Sequence, residues 1–344
     1  MKKVIVTGST GQDGSYMIDY LLDNTQDTII AAMRRTSQPI LNNLSKALNN
    51  PRVKFVTVDL CDGEAIRKLI KDEKPDYFIN FGAKTFVADS WKNPVAHMMT
   101  NAISLIYVLE AIREYAPYCR VYSSGSSEQM GDVKYSPQNE DHPMSPRSVY
   151  GVSKCTAEHL CKVYRESYGL YVVHGKLFNH ESPRRQEYFL TRKVTKYIAR
   201  NEYRILSNRE GAPLQVGNLN AKRDWSHAKD FIQGIWMMLN QDKPKNYVLS
   251  SGETHTVREF IEKAFSIVNI NGKWVGEGEN EKCLFNNNVI VEVNKEFYRP
   301  AEVELLLGDS SLIRRELGWV PKYNFEMLVR EMVESDRDIY RYEG

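Results

Sequence analysis

At 344 residues and 42% hydrophobic content, the chain exceeds a minimal domain and suits one large α/β unit or two lobes around a sizeable core. A net charge of +2 with 26% charged residues carries no broad nucleic-acid signature. Glycine stops the short apolar run after Met1 long before a signal or membrane span is reached, so a soluble, cytoplasmic protein is expected. The cysteines (Cys61, Cys119, Cys155, Cys161, Cys283) are odd in number, scattered and without C-x-x-C spacing, which argues for reduced, buried thiols and against a disulfide framework or a metal site.

Residues 2 to 7 form a β-branched run bounded by glycine, the pattern of a buried parallel strand. Gly8-Ser9-Thr10-Gly11-Gln12-Asp13-Gly14 follows, and then SYMIDYLLD, apolar at helical spacing. Strand, glycine turn and helix in this order resemble a Rossmann phosphate loop, where glycines let the backbone approach a pyrophosphate at a helix N-terminus. The spacing is G-x-x-G-x-x-G. A second strand, Thr28 to Met33, ends in Arg34-Arg35-Thr36-Ser37, where an acidic residue would mark NAD. Two arginines there favour a 2′-phosphate, hence NADP. The polar loop from Gln38 to Pro51 can reach a neighbouring subunit.

Val53 to Val58 reads as a third strand closing on Asp59-Leu60, where a carboxylate can accept from an adenine amino group. A helix is expected over 63–72. Tyr77 to Phe81 makes a fourth strand leading into Gly82-Ala83-Lys84-Thr85, whose small residues let a cofactor lie across the strand end. Ala96 to Arg113 has a long helical apolar pattern, and Arg120 to Ser124 is the fifth strand. Strands alternating with helices indicate a doubly wound parallel sheet of Rossmann type.

The fifth strand delivers Ser126, Ser127 and Glu128 to its carboxyl end, where open parallel sheets bind ligands. Tyr150 and Lys154 stand one turn apart on the helix that follows. An ammonium beside a phenol favours the phenolate, so the Tyr150 pKa is expected to fall from about 10 towards the working pH. Tyr150 can then take a proton from a hydroxyl while the carbon beneath gives up hydride. Glu128 adds a second acid/base group that simple alcohol oxidation does not require. The same Y-x-x-x-K spacing also occurs on ordinary solvated helix faces, so its weight comes from context.

Beyond about Tyr168, Tyr171 to Phe178 is a sixth strand, and Asn179-His180-Glu-Ser-Pro-Arg-Arg185 is a polar turn whose arginines suggest anion contacts. A helix is expected from Tyr188 to Arg200. Gly217 to Trp225 reads as a charged loop ahead of a helix, Ser226 to Leu239, with Asp224 compatible with a cap. Tyr247 to Ser250 looks like a strand and Val257 to Val268 a helix. Asn271 to Asn288, rich in Gly, Asn, Glu and Lys, reads as an exposed loop. Helical segments follow around Ser311 to Leu317 and Phe325 to Tyr340. No linker separates two independent domains: the expectation is a dinucleotide-binding unit over 1–180, to which about 226–252 return, and a smaller C-terminal substrate-binding lobe over 181–344.

The chain resembles the extended short-chain dehydrogenase/reductases and, within them, the GDP-mannose 4,6-dehydratase family. The general resemblance lies in the glycine loop, Asp59-Leu60 and Tyr150-x-x-x-Lys154. The narrower one lies in TGSTGQDGSY, SSEQMG, LFNHESPRR, TRK at 191–193, GNLNAKRDWSHAKDF, SGETHTVREF, YRPAEVELLLGD and LVREMV, which span nearly the whole chain in order. The resemblance implies a redox-neutral NADP cycle on a GDP-sugar. Tyr150, helped by Lys154 and Ser126, would deprotonate the sugar 4-hydroxyl as hydride leaves C4. Glu128 would remove the C5 proton and assist loss of the 6-hydroxyl, with Ser127 holding substrate, before hydride returns to C6.

It also implies NADP contacts from Gly8, Ser9, Thr10, Gly11, Gln12, Asp13, Gly14, Arg35, Asp59, Leu60, Phe81, Gly82, Ala83, Lys84, Thr85, Lys154, His180 and Arg185. GDP-sugar contacts would come from Ser127, Asn179, Lys193, Arg223, Arg299 and Glu302. A homodimer or homotetramer is implied, with the region from Arg35 to Leu44 near a neighbour's cofactor. Departures from the family pattern are Gly125-Ser126-Ser127-Glu128 for S-T-S-E, Gly82-Ala83-Lys84-Thr85-Phe86 for G-A-Q-S-H, and Ala96 near a usual tyrosine. Lys84 and Phe86 change charge and polarity beside the reacting centre. They motivate an alternative, a dehydratase or epimerase of another nucleotide sugar. A non-catalytic NADP-binding protein is disfavoured by the presence of Glu128, Tyr150 and Lys154.

Overall fold

The structure is a computed structural model that describes residues 1–36, 41–297 and 305–341. Seven strands form one sheet: β1 (Lys3–Thr7), β2 (Thr28–Met33), β3 (Val53–Thr57), β4 (Tyr77–Asn80), β5 (Arg120–Ser124), β6 (Val172–Leu177) and, much later in the chain, a strand over Tyr247–Leu249. All are parallel, in the order β3-β2-β1-β4-β5-β6 and then Tyr247–Leu249 at the far edge. The chain runs outward from β1 in one direction and resumes from β4 in the other. The crevice between β1 and β4 is therefore the switch point at which such sheets bind ligands.

Both faces are covered, which is why these strands read as continuous apolar runs. On one face, α1 (Gln12–Asn24) packs Met17, Ile18 and Leu21 against Phe231, Ile235 and Met238 of the later helix Ala228–Leu239. On the other, α2 (Gly63–Glu73), a long helix over Pro94–Tyr115 and α5 (Val149–Tyr168) bury Ile66, Leu105, Leu109, Ile112, Ala157 and Cys161. The Pro94–Tyr115 segment is long and apolar enough to cross a membrane, yet half of it is buried against α2 and α5. It consists of α3 (Pro94–Met98), a π turn (Met99–Ile103) and α4 (Ser104–Tyr115). Capping sets the ends of α5: the Ser148 hydroxyl accepts from Gly151 N at 3.0 Å, and Gly169 closes it at φ +66°.

The remaining chain completes the numbering with β7 (Asn179–Glu181), α6 (Leu190–Leu206), β8 (Leu214–Val216), β9 (Lys222–Arg223), β10 (Trp225–His227), α7 (Ala228–Leu239), β11 (Tyr247–Leu249), β12 (His255–Thr256), α8 (Val257–Ile267), β13 (Lys273–Val275), β14 (Lys282–Phe285), β15 (Asn288–Val293), α9 (Ser311–Leu317) and α10 (Phe325–Arg341). Strands β13, β14, β15 and β8 form a second, mostly antiparallel sheet. With α6, α8 and α10 it encloses a separate core that includes Ile198, Phe260, Ile261, Ile290, Val291 and Met332. Strand β11 and helices α7 and α9 return to the first unit.

Three expectations fail. Residues 271–288 are largely a β-meander: the Asn and Gly that read as loop occupy its turns, with positive φ at Gly276, Gly278, Asn286 and Asn287, while Cys283 and Ile290 are buried beneath. Residues 179–185 and 217–225, read as loops, contain β7, β9 and β10. Cys61, expected to be buried, is exposed, whereas the other four cysteines are buried; all five are free thiols.

Candidate active site

The glycine turn joins β1 to α1 so tightly that the backbone itself lines the crevice. A Cβ at Gly14 would sit 2.3 Å from the Gly8 carbonyl oxygen, and Gly8 has φ +63°. Gly11 is the N-cap of α1, so the helix's unpaired N–H groups face outward from this turn. These features fit a dinucleotide pyrophosphate. Ser9 Oγ donates to Ala32 O at 3.0 Å, and Thr10 O accepts from Asn43 Nδ2 at 3.1 Å, tying the turn to β2 and the segment after it. Arg35 lies exposed just beyond β2. Asp59 and Leu60 follow β3, with Asp59 Oδ1 accepting from Cys61 N at 2.9 Å. Phe81 to Thr85 follow β4, where Gly82 N donates to Thr7 Oγ1 at 3.0 Å. A Cβ on Gly82 would collide with Leu60 at 2.3 Å. Gly82 leaves room for the Leu60 side chain beside the end of β4.

A polar link joins this half to the segment after β6. Gln12 Nε2 donates to His180 O at 3.0 Å, and Asp13 Oδ2 lies 3.0 Å from His180 Nε2. Burial acts to raise the Asp13 carboxyl, but the His180 charge, hydrogen bonds from His180 and Gln12 and the Arg185 charge together outweigh it and hold the carboxyl below its ordinary range. Reciprocally, burial lowers His180 and Asp13 outweighs it, so the imidazole pKa is raised. Arg185 pairs with Glu181 at 3.1 Å, and its guanidinium stacks 3.5 Å over the Phe189 ring.

The reacting groups converge where β5 ends. Ser127–Gln129 form one short 3-10 turn in which the Ser126 hydroxyl accepts from Glu128 N at 3.3 Å. Glu128 is 9% exposed and Ser127 2%. A Cβ at Gly151 would lie 2.6 Å from the Glu128 carbonyl oxygen, so glycine 151 permits the close approach of α5 to this turn. On α5, Tyr150 is 6% and Lys154 4% exposed. The expected depression of the phenol does not occur. Burial pushes Tyr150 up to about 12, with the Ser126 hydroxyl and Arg185 acting in the opposite direction. Lys154 falls to about 8, also through burial. The reason is geometric: the ammonium is 5.7 Å from the Tyr150 ring centre and donates to Ser124 O at 2.7 Å. Protein burial dominates over that separated charge.

Two side chains that the sequence pattern had not singled out complete the site. Asn101, in the π turn, accepts from Lys84 N at 2.8 Å and donates to Lys84 O at 3.0 Å and to Ser153 Oγ at 3.1 Å. It clamps the loop after β4 to α5, and the irregular helix turn that presents it was invisible to a helical apolar pattern. His97, fully buried one turn earlier, stands edge-on to Tyr150 at 6.2 Å and reaches Asp89 at 3.2 Å. Lys84 Nζ lies 3.4 Å from the same Asp89 carboxylate. Phe86 packs on Tyr188 and Phe189 at 5.1 and 5.9 Å, bridging the loop after β4 to the approach of α6.

Of the residues expected to meet the sugar nucleotide, Asn179 opens β7 with its Oδ1 buried and without a hydrogen-bond partner among the described residues. Lys193 projects from α6 with its ammonium 3.7 Å over the Phe297 ring, and burial lowers its pKa. Arg223 on β9 is 7% exposed and donates to Lys222 O at 2.9 Å. Arg299 and Glu302 lie outside the described residues. Asp224 is not the α7 cap. That role falls to His227 Nδ1, which accepts from Lys229 N at 3.0 Å. Asp224 is instead fully buried, accepts from Ser251 N and Oγ, Gly252 N and Gly308 N, and is pushed up to about 6 by burial.

A family profile described as GDP-mannose 4,6 dehydratase matches residues 5–332. The GDP-mannose 4,6-dehydratase of Vibrio cholerae serotype O1 is 39% identical over 97% of this chain and 93% of that protein. The GDP-mannose 4,6 dehydratase of Homo sapiens is 36% identical over 98% and 92%. Among solved structures, dTDP-glucose 4,6-dehydratase of Bacillus anthracis in complex with NAD superposes with a TM-score of 0.82 at 22% identity, covering 99% of this chain and 98% of that one. RMD of Pseudomonas aeruginosa complexed with NADPH gives 0.75 at 21%, covering 98% and 100%. At these identities the solved structures speak to the fold alone.

Proposed function

The chain belongs to the GDP-mannose 4,6-dehydratase family, and from that premise we propose that it converts GDP-mannose to GDP-4-keto-6-deoxymannose in a soluble, cytoplasmic homodimer or homotetramer. The observation that carries the reading is a buried carboxylate, Glu128, on the turn packed against Tyr150 and Lys154 of α5. An alcohol dehydrogenase has no use for that group, and a dehydratase does.

The residues divide the work. A nicotinamide dinucleotide, when bound, would supply a reversible hydride store, taking hydride from the sugar's C4 and giving it back at C6. Tyr150 takes the 4-hydroxyl proton, with the Ser126 hydroxyl and Arg185 drawing its pKa down against burial. Lys154, buried beneath, would hold the cofactor's ribose. Glu128 removes the C5 proton, made acidic by the new ketone, and passes it to the departing 6-hydroxyl, which leaves as water; when hydride comes back to C6, the proton that Tyr150 took from the 4-hydroxyl is given to C5. Ser127 holds the sugar. Gly8 to Gly14 would hold the pyrophosphate, and Asn179, Lys193 and Arg223, with Arg299 and Glu302, would hold the GDP moiety. The cofactor is NADP, because Arg34 and Arg35 follow β2 where a ribose-binding carboxylate would select NAD.

A second reading, dehydration or epimerisation of another nucleotide sugar, is favoured by Lys84, held to Asp89 beside the site, and by Phe86 on Tyr188. Incubation with a panel of nucleotide sugars and mass spectrometry of the products decides. The expected outcome is loss of one water from GDP-mannose. An unchanged GDP-mannose peak beside a consumed alternative would replace the first reading with the second.

A further inference from the structure

Strand β6 is buried along its whole length, yet two of its six residues are His174 and Lys176, 0% and 4% exposed. Nothing in apolar packing calls for them there. Opposite them, α5 presents Glu158 one turn beyond Lys154 and two beyond Tyr150, on the same helix face. The Lys176 ammonium lies 3.3 Å from Glu158 Oε1 and donates to Glu140 O at 2.8 Å. The other Glu158 oxygen accepts from Gln129 Nε2 at 2.6 Å.

Gln129 then turns the network towards the reacting groups. Its amide nitrogen is committed to a carboxylate, so its oxygen is the acceptor that faces Ser126 N at 2.8 Å and His174 Nε2 at 3.1 Å. His174 therefore carries its proton on Nε2 and accepts from Ser123 Oγ at 3.2 Å through Nδ1. This is the neutral tautomer, in keeping with a ring whose pKa burial lowers to about 4. The fit leaves no slack. A Cβ on Gly125 would lie 2.3 Å from His174 Nε2 and 2.6 Å from the Gln129 oxygen. Buried ion pairs add little stability over apolar packing of equal volume, but they do impose a fixed geometry.

We propose that Gln129, Glu158, His174 and Lys176 form a positioning network that locks the Ser126–Glu128 turn to the helix bearing Tyr150 and Lys154. None of the four touches a reacting atom. The inference rests on the dehydratase reading, because it is elimination at C5 and C6 that depends on where Glu128 stands. Tyr150 and Lys154 keep their places through α5 itself, capped by Ser148 and packed on the sheet. Releasing the turn therefore slows elimination more than hydride transfer.

The test is Gln129→Met, close in volume but unable to hold either partner. The expected result is a kcat about a hundredfold lower with little change in KM. In the steady state the near-ultraviolet absorbance of enzyme-bound reduced nicotinamide rises above that of the wild type, since oxidised sugar waits for elimination. Glu158→Gln alone leaves Lys176 unpaired and should be impaired; adding Lys176→Met restores neutrality, keeps an acceptor for Gln129 and should recover most of kcat. A Gln129→Met variant that keeps kcat, or loses it only in proportion to folded protein with no rise in the reduced fraction, would overturn the positioning role. A wild-type enzyme that leaves GDP-mannose unconverted would instead dispose of the dehydratase reading beneath it.

Discussion

The two interiors of this chain follow different rules. The core of the second lobe is assembled from Ile198, Phe260, Ile261, Ile290 and Val291 with little polar content, the Arg192–Asp336 pair at 2.7 Å being the main exception. The carboxyl end of the seven-stranded sheet buries Glu128, Tyr150, Lys154, Glu158, His174 and Lys176 within the reach of two helix turns and a strand. In the first interior, burial stabilises. In the second, burial displaces protonation equilibria, with Lys154 lowered to about 8, His174 to about 4 and Tyr150 raised to about 12. Burial there disfavours the charged form of each group, and displaced protonation equilibria of this kind are what acid/base chemistry uses. They are also a liability for folding.

That contrast predicts that activity and stability separate by location. The largest effect is expected for Glu128→Gln: dehydration, read by mass spectrometry, falls by about a thousandfold, while the cofactor still binds and the thermal midpoint does not drop. A midpoint that fell together with activity would erase the distinction. Next comes Ile290→Ala in the second lobe, where a buried side chain leaves a cavity beneath β15. It should lose about 2–5 kcal/mol in urea denaturation, with kcat per folded molecule unchanged. Loss of kcat beyond the unfolded fraction would show that the lobe's core tunes the chemistry as well.

The same contrast governs what could be read from the sequence. Strands β1, β2, β4, β5 and β6 are covered on both faces, so they appear as apolar blocks ended by glycine or polar turns, and β2 and β5 were placed to the residue. The motif residues fell where their strands end. Strands β13 to β15 are only half covered, and their Asn- and Gly-rich turns outweighed Trp274, Cys283, Phe285 and Val289 in the pattern. The network of Gln129, Glu158, His174 and Lys176 was hidden for another reason: its members are single polar residues in ordinary elements, far apart in sequence, and only the register of β5, β6 and α5 brings them together. The Tyr150 pKa departs from the expectation because spacing on a helix gives proximity of Lys154 but neither the depth of burial nor the Ser124 carbonyl that accepts the ammonium's hydrogen bond.

Lys154→Met probes the liability directly, with an expected change in stability no larger than that of Ile290→Ala. The ammonium's pKa falls from an ordinary 10.5 in the unfolded chain to about 8 in the fold. Between those values the unfolded chain holds a proton that the folded chain has released, so stability rises with pH across that window. The contribution is present in full above about 10.5 and is lost as pH falls through about 8. At pH 7 wild-type Lys154 thus costs about 3 kcal/mol, offset by about 1 kcal/mol for its bond to the Ser124 carbonyl, which methionine cannot replace. The variant should be inactive yet about 2 kcal/mol more stable at pH 7, and its advantage should shrink as pH rises beyond 8. Urea denaturation at a series of pH values measures both. A variant less stable than wild type at pH 7, or an advantage that does not change with pH, would mean that the sheet's carboxyl end accommodates its buried charge as readily as the second lobe accommodates its apolar core.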